Sequence, residues 1–186
     1  MYKINKTDFS EVIEILPEVY DDNRGKFYEL WNHNKYSNIF KEISFCQDNI
    51  SHSSKNVIRG LHYQYPKYQQ DKLVSVIKGT VFDVAVDIRK DSANFGKWVS
   101  VVLDDKKCNQ LWIPKGFAHG FCVISDLAIV LYKCTEYWSK DDEKIIRWDD
   151  PDIKINWPTN LPKLSNKDKN SKLLSQQECL PTYDEK

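Results

Sequence analysis

From Ile43 to Cys134 the chain reads as one short strand after another, with no helix-length pattern between them. The runs are Ile43 to Asp48, Asn56 to Gln64, Lys72 to Lys78, Thr80 to Ile88, Trp98 to Leu103, Gln110 to Ile113, Gly120 to Ile124 and Leu127 to Cys134. They are rich in β-branched and aromatic side chains, which suit a pleated surface. The breaks at Lys78-Gly79, Asp91-Ser92, Asp104-Asp105, Pro114-Lys115-Gly116 and Ser125-Asp126 carry turn residues. Many short strands without alternating helices predict an all-β antiparallel sandwich or barrel.

The flanks are less regular. Val12 to Pro17 reads as a first strand closed by proline, and Tyr20 to Glu29 as a turn followed by a second strand. His33 to Lys41 has room for one or two helical turns, with His33 expected exposed. In Thr80 to Ile88, Phe82, Val84, Val86 and Ile88 share one face while Asp83 and Asp87 share the other, which is expected to meet water or a partner. After Asp149-Asp150-Pro151 the composition turns polar, predicting a loop-rich tail with one helical turn near Leu173 and frayed residues from Thr182 to Lys186. At 186 residues one domain is expected, spanning 1–186 with its core over about 12–175.

Lys and Arg total 27, as do Asp and Glu, so no net charge marks the chain for nucleic acid. An anionic ligand must therefore be held by a local cluster of cations. Cys46, Cys108, Cys122, Cys134 and Cys179 are odd in number and contain no CxxC pair, which argues against a disulfide framework and a zinc knuckle. No run approaches the roughly 20 apolar residues of a membrane helix, and Met1 to Asp8 lacks the apolar core of a signal peptide. A soluble, cytoplasmic protein with free thiols is expected, with neither nucleic acid nor membrane as a partner.

Chemistry concentrates around Val57 to Gln64, where Arg59 and His62 stand on one extended run. In a strict strand they would face opposite ways, and Gly60 between them could host a bulge that re-aims one. Histidine exchanges protons readily near neutral pH; a strand histidine that is simply hydrogen-bonded is the structural alternative. His119, beside Gly120 and among apolar residues, reads as structural when taken alone. Neither His62 nor His119 has a second histidine within two residues, so no metal is expected. Tyr132 on an apolar strand packs or serves as a general acid. Tyr137-Trp138 offers a stacking platform or a packed wedge. Arg24, Arg59, Lys72 and Lys167 are candidate cations for a diphosphate.

A set of short motifs in one order then carries a resemblance. They are Phe45-x-Gln47-Asp48-Asn49, Val57-x-Arg59-Gly60-Leu61-His62-Tyr63-Gln64, Lys72-Leu73-Val74, Asp83 to Arg89, and Trp112-Ile113-Pro114-x-Gly116-Phe117-Ala118-His119-Gly120-Phe121. Leu131-Tyr132-Lys133, Trp148-x-Asp150-Pro151, Ile155-x-Trp157-Pro158 and Leu164-Ser165-x-Lys167-Asp168 continue it. From about Ile13 to about Leu174 the chain resembles the dTDP-4-dehydrorhamnose 3,5-epimerases. The resemblance implies a cupin-like jelly roll, usually a homodimer that exchanges N-terminal strands, acting on a dTDP-linked 4-keto-6-deoxy sugar without a cofactor. By position, His62 resembles the general base, Asp168 its supporting carboxylate and Tyr132 the general acid. Lys72 resembles the cation near the 4-keto oxygen, and His119 lines the sugar pocket. Arg24, Glu29, Gln47, Asp48, Asn49, Arg59, Glu143 and Lys167 match positions that hold the nucleotide sugar. The family's base-stacking aromatic is commonly Tyr, whereas this chain has Trp138.

Three readings stay open on sequence alone. The first is inversion at C3 and C5 through an enolate. The second is inversion at only one of these carbons on a related sugar. The third is a non-catalytic or metal-dependent barrel that binds a sugar.

Overall fold

A computed structural model of the chain describes residues 2–40 and 43–183. In chain order its elements are β1 (Lys3–Lys6), β2 (Ile13–Leu16), β3 (Val19–Asp22), β4 (Gly25–Tyr28), α1 (His33–Tyr36), β5 (Gln47–Ser54), β6 (Ile58–Gln64) and β7 (Lys72–Lys78). There follow β8 (Thr80–Asp87), β9 (Trp98–Asp104), β10 (Gln110–Ile113), β11 (Phe117–Val123), β12 (Leu127–Cys134), β13 (Glu143–Ile145) and α2 (Asn166–Lys169). A six-stranded sheet runs β1-β2-β10-β7-β12-β5, a five-stranded sheet runs β13-β6-β11-β8-β9, and β3-β4 form a separate hairpin. All ladder pairs between these strands are antiparallel. The fold is an all-β, cupin-like jelly roll: the strand spacing predicts the antiparallel sandwich or barrel, and the family resemblance implies the jelly roll.

Three apolar clusters explain why the sheets stack. Val74, Val76, Leu111, Ile113, Ala128 and Val130 of the larger sheet meet Val81, Ala85, Val99, Leu103, Phe121 and Val123 of the smaller. The outer face of the smaller sheet is covered by the C-terminal segment, which buries Ile153, Leu174 and Leu180 against Leu61, Val84, Val86 and Ala118. The outer face of the larger sheet is covered by the α1 region, where Phe40 lies 4.1 Å from Trp112 between ring centroids. Fully burying each of the valine, leucine, isoleucine and phenylalanine side chains among them contributes about 1.5–3 kcal/mol.

This layering corrects several expectations. The Asp83 and Asp87 face of β8 meets neither water nor a partner, because both side chains are fully buried between the sheets. Asp87 is neutralised by Arg89 at 2.7 Å, and Asp83 faces His119. The polar tail is loop-rich as expected, and it also serves as a cover: Ile146 bridges Lys172, Lys90 bridges Thr182, and the Tyr183 ring lies 4.7 Å from the Arg89 guanidinium. Thr182 is therefore held, while 184–186 fall outside the described residues. The expected turn near Leu173 is a 3-10 turn at Leu174–Gln176.

Strand formation at Ile43 to Asp48 is displaced: β5 begins at Gln47 and continues to Ser54. Its polar sequence hides it, and pairing along the whole of β12 defines it. The expected helix from His33 to Lys41 is confined to His33–Tyr36, with His33 exposed, and Lys41 lies outside the described residues. β1, β13 and α2 carry too little pattern to be read from sequence.

Candidate active site

β6 positions the candidate base through the bulge its glycine allows. Across the β6–β11 ladder, Arg59 pairs with Phe121 and His62 with His119, so Gly60 and Leu61 oppose Gly120 alone. Two residues facing one is a bulge. It turns Arg59 and His62 to the same side, since their partners on β11 stand two apart. Gly60 is required: its φ is +134°, and a Cβ there would stand 2.5 Å from Gly120 Cα.

The inward-facing residues of the two sheets meet in an open cleft lined by polar and aromatic side chains. The five-stranded sheet supplies His62 and Gln64 from β6 and Glu143 from β13. The six-stranded sheet supplies Gln47 and Asn49 from β5, Lys72 from β7 and Tyr132 from β12. His62 and Tyr132 thus enter from opposite sheets.

His62 Nε2 lies 2.6 Å from Asp168 Oδ1, where an Nε2–H donates to the carboxylate and leaves Nδ1 as the free lone pair. The His62 side chain is 33% exposed and that of Asp168 only 5%. Asp168 is fixed in turn: Ser165 Oγ donates to its Oδ2 at 2.8 Å and accepts from its backbone N–H at 3.1 Å. This is the N-cap of α2, so a helix start holds the carboxylate in place.

Burial pushes the Lys72 ammonium below its ordinary range, opposed by Cys134, Asp83 and Glu143. Among the described residues no hydrogen bond or ion pair ties down this ammonium. Burial pushes the Tyr132 phenol up, and Cys134 and Glu143 add to the shift while Arg59 opposes it. The phenol therefore stays protonated as a donor. His119 is buried with Nε2 2.9 Å from Asp83 Oδ1, and it does not line the cleft. The second carboxylate oxygen of Asp83 is buried and has no hydrogen-bond partner among the described residues.

The remaining candidates separate into two groups. Trp138 lines the cleft with 55% exposure, and Lys167 is ion-paired to cleft-lining Glu143. Arg59 donates to Ser53 Oγ at 3.0 Å, and Asp48 pairs with Lys133 at 2.8 Å beside the cleft strands. Arg24 and Glu29 are not brought into this cleft. Arg24 pairs with Asp22 on the β3–β4 hairpin, and Glu29 pairs with Lys35 in a separate depression. Among the described residues no group of three or more His, Cys, Asp and Glu side chains converges as a metal site.

The family model described as dTDP-4-dehydrorhamnose 3,5-epimerase matches residues 6–176. The chain belongs to the dTDP-4-dehydrorhamnose 3,5-epimerase family. It is 50% identical over 166 residues to the dTDP-4-dehydrorhamnose 3,5-epimerase of Shigella flexneri, covering 89% of this chain and 92% of that one. A Legionella pneumophila epimerase solved in complex with dTDP-4-keto-L-rhamnose is 46% identical, with a TM-score of 0.96 and full coverage of both chains. A 3'-monoepimerase from Streptomyces bikiniensis, in complex with dTDP-quinovose, is 28% identical with a TM-score of 0.90, covering 96% and 93%. Family membership places the chain among isomerases.

In this member of the dTDP-4-dehydrorhamnose 3,5-epimerase family, Tyr63, Gln64 and Gln70 also line the cleft, outside the candidate set. Gln64 carries a signal in sequence: it shares a strand face with His62 two residues before it. Gln70 lies in the polar Gln69-Gln70-Asp71 stretch and has no periodic signal.

Proposed function

We propose that this chain converts dTDP-4-dehydro-6-deoxy-D-glucose to dTDP-4-dehydro-L-rhamnose by inverting C3 and C5. The observation that carries this reading is the entry of a carboxylate-backed imidazole and a protonated phenol from opposite sheets of one cleft. A 4-ketone acidifies the hydrogens on both neighbouring carbons, because loss of either proton gives an enolate. His62 takes the proton at Nδ1, and Asp168 holds the resulting imidazolium. Lys72, desolvated by burial, faces the oxygen where negative charge develops. Tyr132 delivers a proton to the opposite face, so the centre inverts; the imidazolium then gives its proton to solvent and the phenolate takes one from it, which resets the pair for the second carbon. Proton transfer next to a ketone needs neither a metal nor a redox cofactor.

Trp138 stacks on the base in this proposal, with Gln47, Asn49, Arg59, Glu143 and Lys167 along the nucleotide sugar and His119 behind the sugar pocket. Asp48 stands on β5 between Gln47 and Asn49, while Arg24 and Glu29 complete the set only in a homodimer. The β3–β4 hairpin supports this, since Tyr20 and Phe27 stand exposed on it beside Arg24. Five free cysteines fit a cytoplasmic setting, and among the described residues no helix is long and apolar enough to cross a membrane.

Likeness to a 3'-monoepimerase supports a second reading, inversion at one centre. Incubation with dTDP-4-dehydro-6-deoxy-D-glucose and NMR of the product decides between them. Two inverted centres are expected; one supports the monoepimerase, and unchanged substrate refutes both. His62→Ala should abolish turnover while dTDP binding persists.

A further inference from the structure

The segment that carries Trp138 has no strand partner, and glutamine side chains take the place of one. Glu136 to Ser139 lie between β12 and β13 outside any strand. Gln70 Nε2 donates to Glu136 O at 2.8 Å and Gln64 Nε2 to Tyr137 O at 3.0 Å. The Trp138 N–H donates to Gln47 Oε1 at 2.9 Å, and the Ser139 N–H to Gln64 Oε1 at 2.7 Å. Gln64 Nε2 also donates to Tyr68 O on the facing loop. Its side chain is nearly buried, whereas the Trp138 indole that it brackets is more than half exposed. Core packing therefore does not fix the indole. Main-chain groups must find partners, and here their partners set where the ring stands.

We propose that Gln64 is a positioning residue that clips the main chain on both sides of Trp138. The clip holds the indole at the height over the cleft that a nucleobase needs. This rests on the reading that Trp138 stacks on the dTDP base. Gln64 lies two residues beyond His62 on β6, so one strand sets both the base and the nucleotide platform. The clip thus ties the nucleotide platform to the strand that carries the catalytic histidine, while Gln47 and Gln70 hold the same segment from outside β6.

Gln64→Met keeps the length of the side chain and removes the three hydrogen bonds that Gln64 makes, to Tyr68 O, Tyr137 O and the Ser139 N–H, leaving those of Gln47 and Gln70 in place. In the ligand-free variant the Ser139 amide should lose its protection from hydrogen exchange. The Kd for dTDP should rise about tenfold, the effect of one or two lost hydrogen bonds. The kcat at saturating substrate should stay within roughly threefold, since Trp138 touches no reacting atom. In a Trp138→Ala background Gln64→Met should add no further loss of dTDP affinity, because the clip acts only through the ring. Additive losses, a fall in kcat at unchanged KM, or an undisturbed Ser139 amide would each overturn the assignment.

If Gln64→Met does not fold, Gln64→Glu serves. It keeps the acceptor for Ser139 and weakens the donor side, so the Ser139 amide should stay protected while dTDP affinity falls by less; wild-type affinity would overturn the proposal. Should the wild-type protein bind no dTDP, the nucleotide reading fails by itself. The exchange measurement on ligand-free protein still decides whether Gln64 holds the loop.

Discussion

Replacing Asp168 by Asn isolates the carboxylate while keeping its shape. In the native site the carboxylate accepts from His62 Nε2 at 2.6 Å, and its other oxygen accepts from Ser165. When His62 takes a substrate proton it becomes a cation beside a nearly buried anion. At an effective dielectric of about 20 and roughly 4 Å between charge centres, that attraction is about 4 kcal/mol. At 1.36 kcal/mol per tenfold, its loss slows proton abstraction by about 10³-fold. An Asn amide has a second effect: its NH₂ can donate to Nε2, moving the ring proton to Nδ1 and blocking the lone pair that serves as base. A wrong histidine tautomer alone costs up to about 10⁴-fold in a serine protease triad. A kcat loss of about 10³–10⁴ is therefore expected, with KM within a few-fold and little change in Tm. The assay is the initial rate of deuterium wash-in at C3 and C5 in deuterated water, followed by NMR. A loss below tenfold would refute the role assigned to the dyad.

Other outcomes follow from the same geometry. The Lys72 pKa lies below its ordinary value of 10.5; in the window between the two values the unfolded chain binds more protons, so the penalty of burying the charge is present at lower pH and relieved as pH rises. Lys72→Met should therefore raise Tm at neutral pH, with a gain that shrinks towards pH 10.5, while cutting kcat by roughly 10² or more; a pH-independent Tm difference in thermal melts would contradict this. Gly60→Ala places a Cβ 2.5 Å from Gly120 Cα at a φ of +134° and should cost about 3 kcal/mol or more in denaturant unfolding; a shift under 1 kcal/mol would deny the close crossing. Asp150 is buried and accepts from the backbone N–H groups of Asp152, Ile153 and Leu174. Asp150→Ala should destabilise by roughly 2–4 kcal/mol, with the C-terminal cover losing exchange protection first.

The strand core was legible because its signals are local. The bounds of β7, β10 and β12 match their apolar runs residue for residue. A glycine between Arg59 and His62 was enough to anticipate the bulge. Long-range features left less trace. β5 is an edge strand whose residues alternate in burial but are mostly polar, so only its partner β12 reveals it. Asp83 looks like a solvent-facing charge until β11 brings His119 against it. The C-terminal tail is polar in composition, yet its few apolar residues, Ile153, Leu174 and Leu180, complete a core. His62, Tyr132 and Asp168 were named through family motifs. Their placement around one cleft depends on strand order, which spacing along the chain does not encode. Gln64 shares the strand run and face of His62, but the main-chain groups it holds lie in a segment that nothing in the local sequence pairs with it.

The account depends on protons leaving one face of the sugar and returning to the other. The most direct test is Tyr132→Phe with dTDP-4-dehydro-6-deoxy-D-glucose in deuterated water, following exchange and configuration at C3 and C5 together by NMR. Deuterium should still enter at the carbons that His62 reaches, with configuration retained and little inverted product. Inverted product forming at the wild-type rate would remove Tyr132 from the opposite face and contradict the two-sided mechanism.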